Sequence, residues 1–244
     1  SSADHDLRPY YALALLFQQR LADYERALEI YRSVAALDPL PVDAYLNMGV
    51  IFEKLNQEKE ALTAYQAAVQ VSYYANGDSS EDHRKRVWPL YVLADYYLRL
   101  GQLETAADVY KQALERDPKR IYAGWSLWGL GRIAFQQKRY QEAEQLLQQA
   151  LPLANNNYLR SQVYFKLGEL SLQQGKKQEG IDYLTKAHLE HPENQGLHKI
   201  LADALRDAGY LHEAIAEYEK YLSRWPNDAT VQQALEEARQ AIVK

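Results

Sequence analysis

Large and small apolar residues recur along this chain at helical spacing, in two alternating arrangements. The first reads Tyr45, Met48, Gly49, Phe52; then Leu90, Leu93, Ala94, Tyr97; Leu127, Leu130, Gly131, Ala134; Tyr164, Leu167, Gly168, Ser171; and His198, Leu201, Ala202, Leu205. The second places a small residue four positions before a large one: Ala27 and Tyr31, Ala61 and Tyr65, Ala106 and Tyr110, Ala143 and Leu147, Gly180 and Leu184, Ala214 and Tyr218. Residues three and four apart share one face of a helix, so both arrangements predict amphipathic helices, and their alternation predicts helix pairs. A Gly or Ala in each partner lets two backbones approach closely. The aromatic or leucine on the same face fills the space beside that contact.

Prolines mark where the pairs end. The interval from the small residue of the second helix to a closing proline is twelve in four places: Ala27 to Pro39, Ala106 to Pro118, Gly180 to Pro192 and Ala214 to Pro226. Proline cannot continue a helix and biases the residue before it away from helical geometry. The repeats fall at residues 8–41, 42–75, 87–120, 124–157, 161–194 and 195–228 of one continuous domain. A last helix over 229–243 carries apolar Val231, Leu235, Ala238 and Ile242 opposite Gln232, Gln233, Glu236, Glu237, Arg239 and Gln240, as expected of a helix covering the final repeat. A polar insertion, Asn76 to Arg86, reads as a solvated surface loop, with a docking loop as the alternative. A shorter insertion lies around Arg120 to Ala123.

The clearest copy, Tyr45-x-x-Met48-Gly49-x-x-Phe52 followed by Ala61-x-x-x-Tyr65, resembles the tetratricopeptide signature, which repeats about every 34 residues. The resemblance implies an all-α, right-handed superhelical solenoid of about six helix-turn-helix repeats with a C-terminal capping helix. The first copy departs from the pattern, offering Tyr11, Ala14, Leu15 and Gln18, and reads as an atypical terminal cap.

In this family the first helix of each pair lines a concave groove, so the resemblance places Tyr91, Asp95, Trp128, Arg132, Phe135, Phe165 and Glu169 inward. Trp88 and Trp125, three residues before Tyr91 and Trp128, extend the same face. The resulting groove is aromatic at its centre, and such rings dominate binding hot spots. Asp95, Arg132 and Glu169 occupy one position in successive repeats and are expected to align as an acid–base–acid ladder. The family's carboxylate clamp for chaperone C-termini is not expected: its places hold Ala12, Leu16, Asn47, Trp88 and Val92, of which only Asn47 suits.

Catalytic chemistry finds little support. Gly129-Leu130-Gly131-Arg132-Ile133-Ala134 matches a dinucleotide fingerprint, yet no strand precedes it and its glycines belong to the helix pairs. His188 and His191 sit one turn apart at a helix end with no third ligand, and read as surface histidines. The six histidines sit in no recognisable nucleophile setting. Cysteine is absent, which excludes disulfides and thiolate metal sites. The net charge of −5 argues against a general nucleic-acid binder, and no apolar run reaches the roughly 18 residues of a membrane span.

The expected function is a non-catalytic adaptor or scaffold, without cofactor or metal, that binds a protein or peptide segment in its groove. Alternatives are an envelope or pilus assembly component, a self-associating scaffold forming a homo-oligomer, and the regulatory arm of a larger enzyme. The chain opens at Ser1-Ser2 without an initiator Met, so a preceding segment is expected, cleaved or lying outside this sequence. The compartment stays open between the cytoplasm and, given a removed signal or lipid anchor, the periplasm or envelope.

Overall fold

The computed structural model describes residues 6–77, 79–117 and 122–243, with backbone alone at 195 and 243. Ser1 and Ser2, Asp78 of the polar insertion, the boundary Pro118 and Arg120 of the shorter insertion lie outside the described residues. Among those described, the chain forms thirteen α-helices and no strand. Six consecutive pairs run α1 (Arg8–Leu16) with α2 (Tyr24–Leu37), α3 (Val42–Lys54) with α4 (Glu58–Ser72), α5 (Ser80–Arg99) with α6 (Leu103–Glu115), α7 (Ala123–Gln136) with α8 (Tyr140–Ala150), α9 (Asn157–Gln173) with α10 (Lys177–Glu190), and α11 (Gln195–Asp207) with α12 (Leu211–Arg224). A single helix, α13 (Ala229–Val243), follows. The helices gather into two compact units, Ser1–Gly129 and Leu130–Lys244, with α7 contributing to both.

One device closes every pair. The turn between its helices holds one residue in the left-handed region: Ala22, Asn56, Gly101, Lys138, Gly175 or Gly209. In five pairs the residue after it donates its N–H to a carbonyl five positions back, as Gln57 does to Phe52 (2.8 Å) and Lys176 to Ser171 (2.9 Å). This is the Schellman closure, which satisfies a carbonyl that the helix end would leave bare. The first pair widens it: residues Phe17–Leu21 form a π-turn, and Asp23 donates to Phe17 (3.0 Å).

The glycine–aromatic logic of the sequence appears directly in the packing. A Cβ on Gly49 would lie 2.4 Å from the Tyr65 ring, and one on Gly168 would lie 2.8 Å from Leu184. Burying each such side chain contributes about 1.5–3 kcal/mol. In the first unit Tyr31, Tyr65 and Tyr110 are fully buried, as are Leu147, Leu184 and Tyr218 in the second. The tyrosine hydroxyls find acceptors within the pair: Tyr31 donates to Gln18 of the π-turn (2.9 Å), Tyr65 to Glu53 of α3, and Tyr218 to Asp203 of α11 (2.5 Å). Burial raises all three phenols well above the ordinary range.

One expectation changes. The polar insertion is not a loop throughout: the Ser79 side chain caps α5 by accepting from the Asp82 N–H (3.1 Å), and from Ser80 the segment is helix. The first pair leaves Tyr10, Leu13 and Leu16 exposed on α1. At the other end α13 buries Val231, Leu235 and Ala238 over the core that holds Ala214 and Tyr218, while Ile242 remains exposed.

Candidate partner-binding site

In the first unit, α5 and α7 bring four of the expected groove residues together. The Trp88 ring stacks on Tyr91 at 4.8 Å and meets Trp125 edge-on at 5.5 Å. Tyr91 and Trp125 lie 5.3 Å apart, and Trp125 meets Trp128 at 6.1 Å. The cluster is layered: Tyr91 (7% exposed) and Trp128 (8%) form a buried floor beneath half-buried Trp88 and Trp125. The helix turn carries Trp128 deeper than Trp125. Two further rings extend the cluster, Tyr110 at 5.9 Å from Tyr91 and Tyr122 at 6.0 Å from Trp88. Tyr110 is itself a core residue, so the floor is continuous with the pair's packing.

The extended start of α5 braces this cluster. His83 Nε2 lies 2.7 Å from Asp117 Oδ1, and the other Asp117 oxygen accepts the Tyr122 N–H at 2.7 Å. Arg84 reaches Asp43 of α3 at 2.8 Å and Glu81 at 2.6 Å; the hydrogen bond to Glu81 is the largest influence holding its guanidinium charged. Arg86 donates to the carbonyls of Ala75 and Gly77, both at 2.9 Å. Arg116 sits 3.9 Å above the Tyr73 ring, and desolvation lowers its pKa. The charges of the insertion are thus largely engaged within the chain, which is why this segment is helix rather than free loop.

In the second unit the expected residues Phe135, Phe165 and Glu169 meet around a lysine that sequence reasoning did not select. The ammonium of Lys166 lies 4.8 Å from the Phe135 ring and 5.7 Å from Phe165, and it pairs with Glu169 at 2.5 Å. This is a cation–aromatic box closed by one carboxylate. In the first unit Asp95 pairs with Arg99 at 3.4 Å, one turn along the same helix. Two members of the expected ladder thus have partners along their own helices. Arg132 is half-buried on α7.

The remaining sequence candidates are structural. A Cβ on Gly129 would lie 2.2 Å from Tyr110, and one on Gly131 would lie 2.9 Å from Leu147. The apparent dinucleotide fingerprint is therefore two packing glycines, each facing a different large side chain. His188 and His191 are half-buried rather than superficial: the His188 ring lies 4.4 Å from His198, and the His191 ring 5.8 Å from Tyr158. His198 Nδ1 in turn meets Glu217 at 2.5 Å. No cluster of three metal-ligating side chains occurs among the described residues, and none of the described helices is long and apolar enough to cross a membrane.

Tetratricopeptide repeat models match residues 11–80, 91–158, 162–194 and 195–238. The chain belongs to the tetratricopeptide repeat family, a family of protein-interaction scaffolds. No curated protein matches it. Among solved structures it is similar to the APC/C hetero-tetramer Cut9–Hcn1, at TM-score 0.73 and 19% identity, over 94% of this chain but 42% of that one. It is also similar to pilF of Pseudomonas aeruginosa (TM-score 0.71, 17% identity, 94% of this chain and 96% of that one). PilW, a type IV pilus biogenesis factor, gives 0.67 and 19% over 96% of this chain and 100% of that one. At such identities the likeness carries the fold and not the roles of those proteins.

Proposed function

We propose that this chain is a non-catalytic adaptor that holds an extended or helical segment of another protein, with the α5–α7 aromatic cluster as its principal anchor. One observation carries the reading: Trp88 and Trp125 stand half-open above a buried floor of Tyr91 and Trp128. A rigid, partly desolvated aromatic surface gives an incoming apolar side chain large contact area at small entropic cost. Asp95 on α5 flanks that anchor. In the second unit the box of Phe135, Phe165, Lys166 and Glu169, with Arg132 on α7, offers a contact of mixed apolar and charged chemistry.

Affinity capture with the tagged chain, compared with a Trp88→Ala/Trp125→Ala variant of matching circular dichroism, tests the reading. The proteins retained by the native chain should fall at least about tenfold in the variant, the loss typical of one hot-spot aromatic. Undiminished capture by a folded variant moves the anchor elsewhere.

A further inference from the structure

Of the eight asparagines in the chain, Asn76 alone is followed by glycine. Most of the others are held by the fold. Asn47 lies within α3 and donates to the Asp43 carbonyl at 2.8 Å, Asn156 accepts the Leu159 N–H at 2.8 Å as the cap of α9, and Asn157 accepts from Arg160. After Asn56 and Asn227 the following N–H is engaged, Gln57 with the Phe52 carbonyl at 2.8 Å and Asp228 with the Trp225 carbonyl at 3.3 Å.

Asn76 and Gly77 lie outside the helices, between α4 and α5, and both are exposed. Among the described residues the Asn76 carboxamide forms no hydrogen bond, and neither does the Gly77 N–H. Packing requires glycine here, because a Cβ on Gly77 would collide with the Asp82 carboxylate. The Gly77 nitrogen is therefore shielded by no side chain of its own. On either side of it, Arg86 donates to the Ala75 and Gly77 carbonyls, both at 2.9 Å. Among the described residues, neither Arg86 nor Arg116, which lies over the Tyr73 ring at 3.9 Å, pairs with a carboxylate.

We infer that Asn76 is a site of spontaneous deamidation, which places a new carboxylate at the anchor of α5. The Gly77 nitrogen gives its proton to solvent and attacks the Asn76 side-chain carbonyl carbon. The bond from that carbon to the amide nitrogen breaks, ammonia leaves, and a five-membered succinimide closes. Water adds to one of the two ring carbonyls and reopens it, and it is the only co-reactant. One opening leaves aspartate on the original backbone. The other leaves isoaspartate, in which the main chain runs through the former side chain and is one atom longer. The acid forms between the two carbonyls that Arg86 holds, so the aspartate product gains a counter-ion. The isoaspartate product lengthens the span between those carbonyls, and Arg86 no longer reaches both. Arg86 stands two residues before Trp88, so the first turns of α5 loosen beside the aromatic cluster.

Ageing the whole chain at mildly alkaline pH, native and urea-unfolded in parallel, tests the inference by mass spectrometry. The tryptic peptide from Glu60 to Arg84 holds Asn76 as its sole asparagine. That peptide should convert from amide to acid at a native rate within about threefold of the unfolded one, as expected of a segment that needs no opening. Asn47, fixed in α3, should convert at least about tenfold more slowly in the native chain than in the unfolded one. Isoaspartyl methyltransferase should label the aged native chain, and Asn76→Gln should remove that early label. In limited digestion, trypsin should cut within residues 84–86 at least about threefold faster in the isoaspartate form than in an Asn76→Asp chain. A native chain that keeps its Asn76 amide while the unfolded chain loses it overturns the inference. So does early label that survives Asn76→Gln, and equal digestion rates overturn the link to Arg86.

Discussion

His83 and Asp117, 34 residues apart, form a 2.7 Å pair with side chains only 4% and 0% exposed, joining the start of α5 to the end of α6. Through its second oxygen Asp117 also holds the Tyr122 N–H, and Tyr122 packs beside Trp88. The polar stretch ahead of the third repeat therefore positions one edge of the aromatic cluster.

Removing His83 should be costly because it takes a hydrogen-bond partner from a buried carboxyl group and opens a cavity beside it. His83→Ala is expected to destabilise the chain by about 2–4 kcal/mol. His83→Ala/Asp117→Ala should cost less than the sum of the two single changes, a coupling that urea denaturation of the four-member cycle measures. Additive losses would show that the pair is not an energetic unit.

Gly49 tests the close approach within a pair. Gly49→Ala drives a Cβ to 2.4 Å from the fully buried Tyr65 ring, whose hydroxyl is already committed to Glu53. A loss of about 1–3 kcal/mol is expected from overpacking. The same change at exposed Gly196, where only the Asn194 side chain lies near, should be much milder. Equal thermal shifts at the two sites would count against the packing account.

The left-handed turn residues give a test free of packing. Gly175 has φ of 76° and no atom within 4 Å of a built Cβ, so Gly175→Ala should cost about 1 kcal/mol from backbone strain alone. Lys138 sits at φ 59° in the equivalent turn, and Lys138→Gly should relieve that strain and raise the melting temperature. A lower melting temperature for Lys138→Gly would mean that its side chain makes compensating contacts.

Acid should weaken the packing of α10 against α11. Desolvation, then the neighbouring His198, lowers the pKa of His188 below the ordinary value of about 6.5. A histidine depressed in the folded state binds its proton more readily when unfolded. Its contribution is intact above that ordinary value and falls away as pH drops through it. Burial pushes Glu217 upward, but hydrogen bonds from Lys220 and His198 outweigh it and leave the pKa lowered, so its contribution fades only at still lower pH. Melting temperature followed from pH 8 to pH 5 should decline, and His188→Gln should flatten the upper part of that decline. Parallel profiles would assign the acid sensitivity to other groups.

Much of the architecture was legible because it rests on local periodicity. Gly49 with Tyr65, Gly168 with Leu184, and the apolar stripe of α13 follow from spacings of three, four and seven. The site was legible in part. Trp88, Tyr91, Trp125 and Trp128 were recognised and do converge, but their depths were not: Trp128 lies in the floor. Tyr122, Lys166 and the His83–Asp117 pair went unrecognised, because their partners sit on other helices or outside the signature positions. Glu53 and Asp203 each accept a buried tyrosine hydroxyl from the partner helix, a contact outside the signature spacing.

By itself, then, the sequence determined the helix pairs, the turns between them and the family, since each depends on contacts within some 34 residues that recur in order. Only the tertiary structure decided which large apolar residues are covered and which charges are spent inside the chain. The same tyrosine is core at position 31 and exposed at position 10. What differs is whether another helix lies against it, and periodicity along a single helix carries no record of that neighbour.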